Sequence, residues 1–142
     1  MSTSLPQNGF GWMILPLRRY AEFRGRSGRR EFWAYSAFLA LGYLAILGAS
    51  LIASEDLVGF ALLGGWSLFF IVNFVPGLAL TTRRLHDMNL SGALLIAIFA
   101  GLSILSIIGW LAYMVWMSLP GQRIENRHGP PIGSPDIAKV FS

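Results

Sequence analysis

The chain has 142 residues, of which 54% are hydrophobic and only 13% are charged. About a quarter of the residues in a typical soluble domain are charged, so this composition indicates a membrane protein, and the length suits one domain. The net charge is +4, and there is no cysteine, which excludes disulfides and thiolate metal sites.

The N-terminal part of the chain consists of a short polar stretch followed by an amphipathic segment. Residues 1–9 predict a flexible tail. Over 10–23, apolar residues recur at spacings of three and four while the charged residues fall elsewhere, which predicts a short amphipathic helix started or interrupted near Pro16. Its aromatic residues and arginines favour a place in the headgroup zone of a membrane; packing on the protein's own cytoplasmic face is the alternative.

Three long windows, 34–53, 57–80 and 93–119, contain no charged residue. Each reaches the ~20 residues that a helix needs to cross ~30 Å of hydrocarbon. The sequence therefore predicts an all-α, polytopic transmembrane protein. Its helical membrane domain covers 10–119, and an extended tail rich in proline and glycine covers 120–142.

The third window, 93–119, is compatible with two arrangements. Its length, roughly 40 Å as a helix, favours one tilted span that places the C-terminal tail outside. Gly101 and Gly109, with Ser103 and Ser106, favour a break into a re-entrant pair of short helices, which returns the tail to the cytoplasm. The positive charge of the tail agrees with the second arrangement.

The distribution of charge predicts the orientation in the membrane. Residues 1–33 carry six arginines against two glutamates, and the loop 81–92 carries two arginines against one aspartate. The short segment 54–56 carries two acidic residues and no basic one. Because arginine and lysine concentrate on the cytoplasmic side, we expect a multi-pass protein with its N-terminus and the loop 81–92 in the cytoplasm.

A polar stretch, 82–92, separates the second and third windows, and a basic, glycine-containing segment, 23–33, precedes the first. Both flank the same predicted side of the membrane, so we expect them to meet there. Arg83 and Asp87, four residues apart, are predicted to pair on the helix surface. The polar cluster predicted in this way comprises Arg26, Arg29, Glu31, Arg83, Arg84, His86 and Asp87.

Two roles for this polar cluster are compatible with the sequence. In the first, the cluster fixes the topology and joins helices as part of a structural or interaction module. In the second, Arg26, Arg29, Arg83 and Arg84 bind anionic lipid headgroups, because basic residues near an anionic leaflet contribute about 1 kcal/mol each. A homo-oligomeric channel or transporter subunit is the alternative function, although the three windows lack the ionisable residues that ion paths use.

No enzymatic activity, cofactor or metal site is expected. His86 and Asp87 are adjacent, so on a helix they point apart, and no activated nucleophile accompanies them. Glu31, His86, Asp87 and His128 match no recognised spacing of metal ligands. The expected partners are the lipid bilayer, its anionic headgroups, and either another membrane protein or a second copy of the chain, with no nucleic acid.

The chain contains three separated motifs. The first lies within 23–33, the second begins with Arg-Arg-Leu-His-Asp at Arg83 and continues to Ser-Gly, and the third lies within 126–130. Together they resemble the motifs of the bacterial integral-membrane family known as domain of unknown function 805. His128 stands where this family usually has an aromatic residue. The resemblance implies a helical protein of the bacterial inner (plasma) membrane with undefined biochemistry. It adds a tail motif to the candidate site: Asn126, Arg127 and Gly129.

Overall fold

The computed structural model describes residues 6–132, and within this range it contains five α-helices and no β-strand. The helices are α1 (Gly9–Arg18), α2 (Arg29–Ile52), α3 (Glu55–Gly59), α4 (Gly65–Asp87) and α5 (Leu94–Ser118), and a π-helical turn, Phe60–Gly64, joins α3 to α4. The prediction of an all-α protein is confirmed. Residues 1–5 of the predicted N-terminal tail and residues 133–142 of the C-terminal tail lie outside the described residues.

Two helical stretches in the described part of the chain are long and apolar enough to cross a membrane: Arg29–Ile52 and Leu57–Asp87. They correspond to the first two charge-free windows. Only 11% and 6% of their most apolar stretches are buried inside the protein. Exposing so much apolar surface to water would cost about 25 cal/mol per Å², whereas lipid tails are as apolar as the side chains themselves.

Helix α5 is broken and reverses its direction. At Ser106 the backbone leaves the helical region, with φ 49° and ψ −121°. A Cβ added at Gly109 would lie 2.9 Å from the carbonyl oxygen of Gly101. In a straight helix, residues eight apart are separated by about 12 Å along the axis. We therefore treat α5 as two antiparallel arms, α5a (94–105) and α5b (107–118).

Both arms of α5 meet the end of α4. The turn after α4 is short, with the Leu90 amide donating to the Leu85 carbonyl at 2.9 Å, and α5a begins soon afterwards. At the end of α5b, the Met117 carbonyl accepts a hydrogen bond of 3.0 Å from Arg84 Nε. The chain thus leaves the end of α4, turns at Ser106 and returns to the end from which it left.

The buried apolar core lies where these helices come together. Within this core a hydrogen bond joins α2 to α4: the Tyr35 hydroxyl donates to Asn73 Oδ1 at 2.8 Å. Asn73 Nδ2 donates in turn to the Phe69 carbonyl at 2.8 Å, so the pair is fixed within α4 as well. The core side chains are Phe32, Tyr35, Leu80, Leu85, Ile98 and Met117.

Helix α1 packs across the same end of the molecule. Asn8 caps it, accepting a 2.7 Å hydrogen bond from the Gly11 amide on its side-chain oxygen. Trp12 and Leu15 are buried, and the Arg30 guanidinium lies 5.0 Å from the centroid of the Trp12 ring. One face of α1 therefore packs on the protein itself. This packing was the alternative to a position in the headgroup zone, which the composition favoured.

Candidate functional site

The first half of the predicted cluster joins the start of α2 to the end of α4. Glu31 is 2% exposed and Arg83 is fully buried, and Arg83 Nη2 donates to Glu31 Oε1 at 3.0 Å. The Ser27 hydroxyl donates to the other carboxylate oxygen of Glu31 at 2.7 Å. Arg83 Nη1 donates to the Glu22 carbonyl, so the same guanidinium also holds the segment that follows α1. Glu31 in the first turn of α2 additionally suits the positive end of the helix dipole.

The second half is organised around Asp87, the last residue of α4. Arg84 Nη1 donates to Asp87 Oδ2 at 2.6 Å, and Arg26 Nε donates to Asp87 Oδ1 at 2.9 Å. The predicted pairing of Arg83 with Asp87 is wrong, because adjacent arginines on α4 point to different sides and Arg83 faces α2. The remaining donors of Arg26 and Arg84 bond backbone carbonyls of Met117, Leu119, Gln122, Ile124 and Gly129.

The C-terminal tail, 120–132, contains no helix and folds over this cluster. Gly121 lies against the Asp87 carboxylate so closely that a Cβ would overlap it, and the Gln122 amide donates to the Asp87 carbonyl at 2.9 Å. Asn126 Nδ2 donates to the His86 carbonyl at 3.0 Å. The tail is therefore fixed to the end of α4 by its own backbone and by an asparagine side chain.

The tail motif forms a tight turn that requires glycine. Asn126 and Gly129 exchange two backbone hydrogen bonds, of 3.2 and 2.9 Å. Gly129 has φ 120°, a region that residues with a Cβ rarely adopt. Arg127 Nη2 reaches from this turn to the Asn89 carbonyl at 3.0 Å. All three residues of the predicted tail motif thus take part in docking the tail.

Two histidines stack where the tail meets α4. The rings of His86 and His128 have centroids 3.8 Å apart and an interplanar angle of 6°. Arg127 Nε donates to His128 Nε2 at 3.0 Å, so this nitrogen carries no proton in the docked tail. Burial, His86 and Arg127 lower the pKa of His128 below its usual value of 6.5. His128 is accordingly neutral at pH 7.

The structure separates Arg29 from the other predicted cluster residues. Arg26, Glu31, Arg83, Arg84 and Asp87 are buried and bonded to one another or to backbone carbonyls, and His86 joins through its backbone and the histidine stack. The side chain of Arg29 is exposed and makes no hydrogen bond or ion pair with the described residues of 6–132. Of the four arginines predicted to bind phosphate, three are therefore enclosed by protein, and Arg29 alone faces outward.

Several partners of the cluster were missed in the sequence. Arg19 Nε donates to Glu22 Oε2 at 2.8 Å, and Arg19 Nη1 lies 3.7 Å from Glu31 Oε2. Arg19 and Glu22 are three residues apart, a spacing from which their pairing on a helical turn could have been predicted. The carbonyl acceptors in the tail could not be predicted in this way, because every residue has a backbone carbonyl. The Pro-Gly pair at Gly121 predicts only a turn. Within 6–132, no three histidine, aspartate or glutamate side chains lie close enough together to hold a metal ion.

The buried ion pair between Glu31 and Arg83 is open to a double-mutant test. Glu31→Gln or Arg83→Met should each lower the free energy of unfolding by about 3–5 kcal/mol, because each leaves a buried charge without its partner. The double variant should lose less than the sum of the two. Unfolding in detergent micelles measures the effect, and Glu125→Gln, at an exposed carboxylate, is the control. Strictly additive losses would show that the two side chains do not interact.

Docking of the tail should depend on pH through His128. Because its folded pKa lies below 6.5, the docked state is favoured above about pH 6.5 and loses stability as the pH falls through the folded value. A protonated His128 would face Arg127 and Arg26 and stack on His86. Hydrogen exchange of residues 124–130 should therefore increase from about pH 7.5 to about pH 5, after correction for intrinsic rates.

The matched variant for the pH experiment is His128→Phe, which keeps an aromatic ring for stacking and has no proton to gain. In this variant the exchange of residues 124–130 should respond to pH less than in the parent, because His86 is then the one titratable ring left in the stack. If the parent and the variant respond equally, another group controls the docking of the tail.

The chain resembles known proteins over most of its length. The profile of the family described as "Protein of unknown function (DUF805)" matches residues 20–130, which include every cluster residue and the tail motif. The inner membrane protein YhaI of Escherichia coli (strain K12) is 34% identical over 125 residues, covering 87% of this chain and 98% of YhaI. The inner membrane protein YhaH of the same strain is 32% identical over 123 residues, covering 84% of this chain and 93% of YhaH.

No solved structure matches the chain. The family resemblance carried by the three sequence motifs is confirmed, since both the profile match and these relatives agree with it. The chain therefore belongs to the DUF805 family, and its relatives place it among the proteins of the bacterial inner membrane.

Proposed function

We propose that the chain crosses the inner membrane twice and that α5 enters it as a re-entrant hairpin. Each arm of α5, about a dozen residues, extends roughly 18 Å, less than the ~30 Å of the hydrocarbon. The return of α5b to the end of α4 supports this arrangement. The tail 120–132 then lies on the same side of the membrane as the basic segment 23–33.

The side on which these segments lie is the cytoplasm in this proposal. Six exposed arginines belong to the segments that meet at the cluster, whereas the segment 54–56 at the far end of α2 is acidic. The preference for positive charge on the cytoplasmic side supports this orientation. The exposed arginines, here called the arginine rim, are Arg18, Arg24, Arg29, Arg30, Arg123 and Arg127.

Within this topology the protein is a structural and interaction module that presents the arginine rim to anionic lipid headgroups. The observation that carries the proposal is the burial of Arg26, Arg83 and Arg84 in a single cluster. Because their guanidinium groups bond helices α2, α4 and α5 and the tail to one another, these arginines make the cytoplasmic end rigid. The rim is thereby held at a fixed position relative to the membrane.

Arg29 and Arg30 are the rim residues best placed for headgroup contact. They open α2, the first membrane-crossing helix, and line an open pocket together with Trp33. Trp33 is exposed, and tryptophan is enriched at the level of the headgroups. Two arginines near an anionic leaflet contribute about 1 kcal/mol each.

The topology can be tested with single cysteines because the chain contains none of its own. Ser54→Cys and Arg123→Cys both change exposed positions, one at each end of the membrane domain. A membrane-impermeant maleimide should label Ser54→Cys in intact spheroplasts and Arg123→Cys only after permeabilisation. The cysteine-free parent controls for background. Labelling of Arg123→Cys in intact spheroplasts would show that the third segment crosses completely.

Headgroup contact is tested by comparing two variants of equal charge. Arg29→Gln/Arg30→Gln should weaken binding of short-chain phosphatidylglycerol to the detergent-solubilised protein by about thirtyfold, the equivalent of ~2 kcal/mol. Binding of phosphatidylcholine should not change. Arg18→Gln/Arg24→Gln removes the same charge beside α1 and should have a smaller effect. Equal losses in both variants would indicate attraction by net charge alone and would refute a role for Arg29 and Arg30.

A further inference from the structure

A cavity of about 500 Å³ lies between α2, α4 and the two arms of α5. Its volume falls within the range of sites that bind small ligands. Among the residues that the structure describes, no charged one lines it. Its wall is mainly hydrocarbon, contributed by side chains that include Leu39, Phe74, Ile98, Leu102 and Met114.

Four of the polar side chains on the cavity wall bond to one another or to the backbone: those of Tyr35, Asn73, Thr81 and Tyr113. The Tyr35 hydroxyl donates to Asn73 Oδ1 at 2.8 Å. The Thr81 hydroxyl donates to the Gly77 carbonyl at 2.9 Å and lies 2.9 Å from the Tyr113 hydroxyl. A charged ligand would lose its hydration without gaining an opposite charge in return, so this mainly hydrocarbon wall suits a hydrocarbon ligand.

A second, open pocket lies nearer the basic start of α2 than the cavity does. Arg29 and Ser36 are seven residues apart, two helical turns, so they share a face of α2 and are separated by roughly 10 Å. Ser36 lines the cavity, whereas Arg29 and Ser118 line the open pocket beside Trp33. On α5b, Met114 lines the cavity and Ser118 lines the open pocket. These two residues are one helical turn apart, so they also share a face of their helix. The two spaces share no lining residue but follow one another along α2 and α5b, and this line is here called the groove.

We propose that this groove binds one anionic phospholipid, with its phosphate at Arg29 and Arg30 and one acyl chain in the cavity. The site rests on the proposed headgroup contact and adds a bound chain to it. Arginine forks match phosphate oxygens, and the apolar wall gains dispersion contacts that an empty cavity would forfeit. A phospholipid combines both chemistries at the spacing that the groove provides, and the bilayer supplies it at high concentration.

The experiment fills the cavity without disturbing its walls. Gly77 lines the cavity, and a Cβ added there meets no atom within 4 Å, so Gly77→Phe is chosen to direct a ring towards the cavity. Gly48 on α2 is equally open but does not line the cavity, and Gly48→Phe is the matched control. The full chain is reconstituted in nanodiscs that contain phosphatidylglycerol with a photoactivatable diazirine in its acyl chain.

In the parent protein, crosslinks should concentrate on cavity residues such as Leu39, Ile98 and Met114, as mapped by mass spectrometry of peptides. In Gly77→Phe their yield should fall about tenfold, whereas Gly48→Phe should retain it. Gly77→Leu, a smaller filler, should give an intermediate yield. Thermal unfolding in the same nanodiscs shows whether each variant is folded. Cavity crosslinks that persist in folded Gly77→Phe and Gly77→Leu, or that are spread evenly over the lipid-exposed helices, overturn the inference.

The same nanodiscs separate failure of the chain site from failure of headgroup contact. If Arg29→Gln/Arg30→Gln removes the preference for phosphatidylglycerol while Gly77→Phe leaves the crosslinks unchanged, the inference is overturned and the proposed function stands. If Gly77→Phe removes the crosslinks but the headgroup preference survives in Arg29→Gln/Arg30→Gln, the phosphate half of the inference fails together with the proposed function.

Discussion

The cost of burying charge is the constraint on which the rest of this structure depends. Three arginines, Arg26, Arg83 and Arg84, share the interior with only two carboxylates, Glu31 and Asp87. Removing a charge from water is costly unless it is paired and hydrogen-bonded, so the excess guanidinium donors require further acceptors. Backbone carbonyls at the end of α5b and in the tail provide them. The tail is thus part of the fold, because its release would leave buried arginine donors without partners.

The broken helix follows from the same requirement. Arg84 is satisfied only if the end of α5b lies beside the end of α4, and a straight helix leaving α4 would carry its last residues to the opposite end of the molecule. Reversal at Ser106 and the close approach at Gly109 bring the chain back. The hairpin also encloses, with α2 and α4, the apolar cavity beside the core. One polar cluster therefore determines both the path of the chain and the presence of the cavity.

The arginines at this end of the molecule have two different roles, depending on whether they are buried or exposed. The enclosed arginines bond helices and tail to one another, while the exposed ones surround them at the same end of the molecule. Arg29 lies three residues from Phe32 of the core on α2, yet its side chain is exposed, and it forms no ion pair within 6–132. The proposed headgroup contact rests on this arrangement of exposed arginines around a buried, bonded cluster. The proposed lipid site joins two of these exposed arginines to the apolar cavity between α2, α4 and α5.

The sequence by itself determined the helical class, the two long apolar helices and the family, because hydropathy and motifs are properties of short segments. It also predicted most of the polar residues that meet, but it included Arg29, which stays outside, and missed Arg19 and Glu22. It did not determine which arginine pairs with which carboxylate: Arg83 and Arg84 are adjacent, and only the rotation of α4 against α2 directs one to Glu31 and the other to Asp87. Nor did it decide between one span and a hairpin for 93–119, since both bury the same apolar residues in lipid. The tertiary structure adds the break of α5 at Ser106 and the return of its second arm to α4, because the contacts that hold this arm, from Arg84 to Met117 and Leu119, join residues more than thirty positions apart.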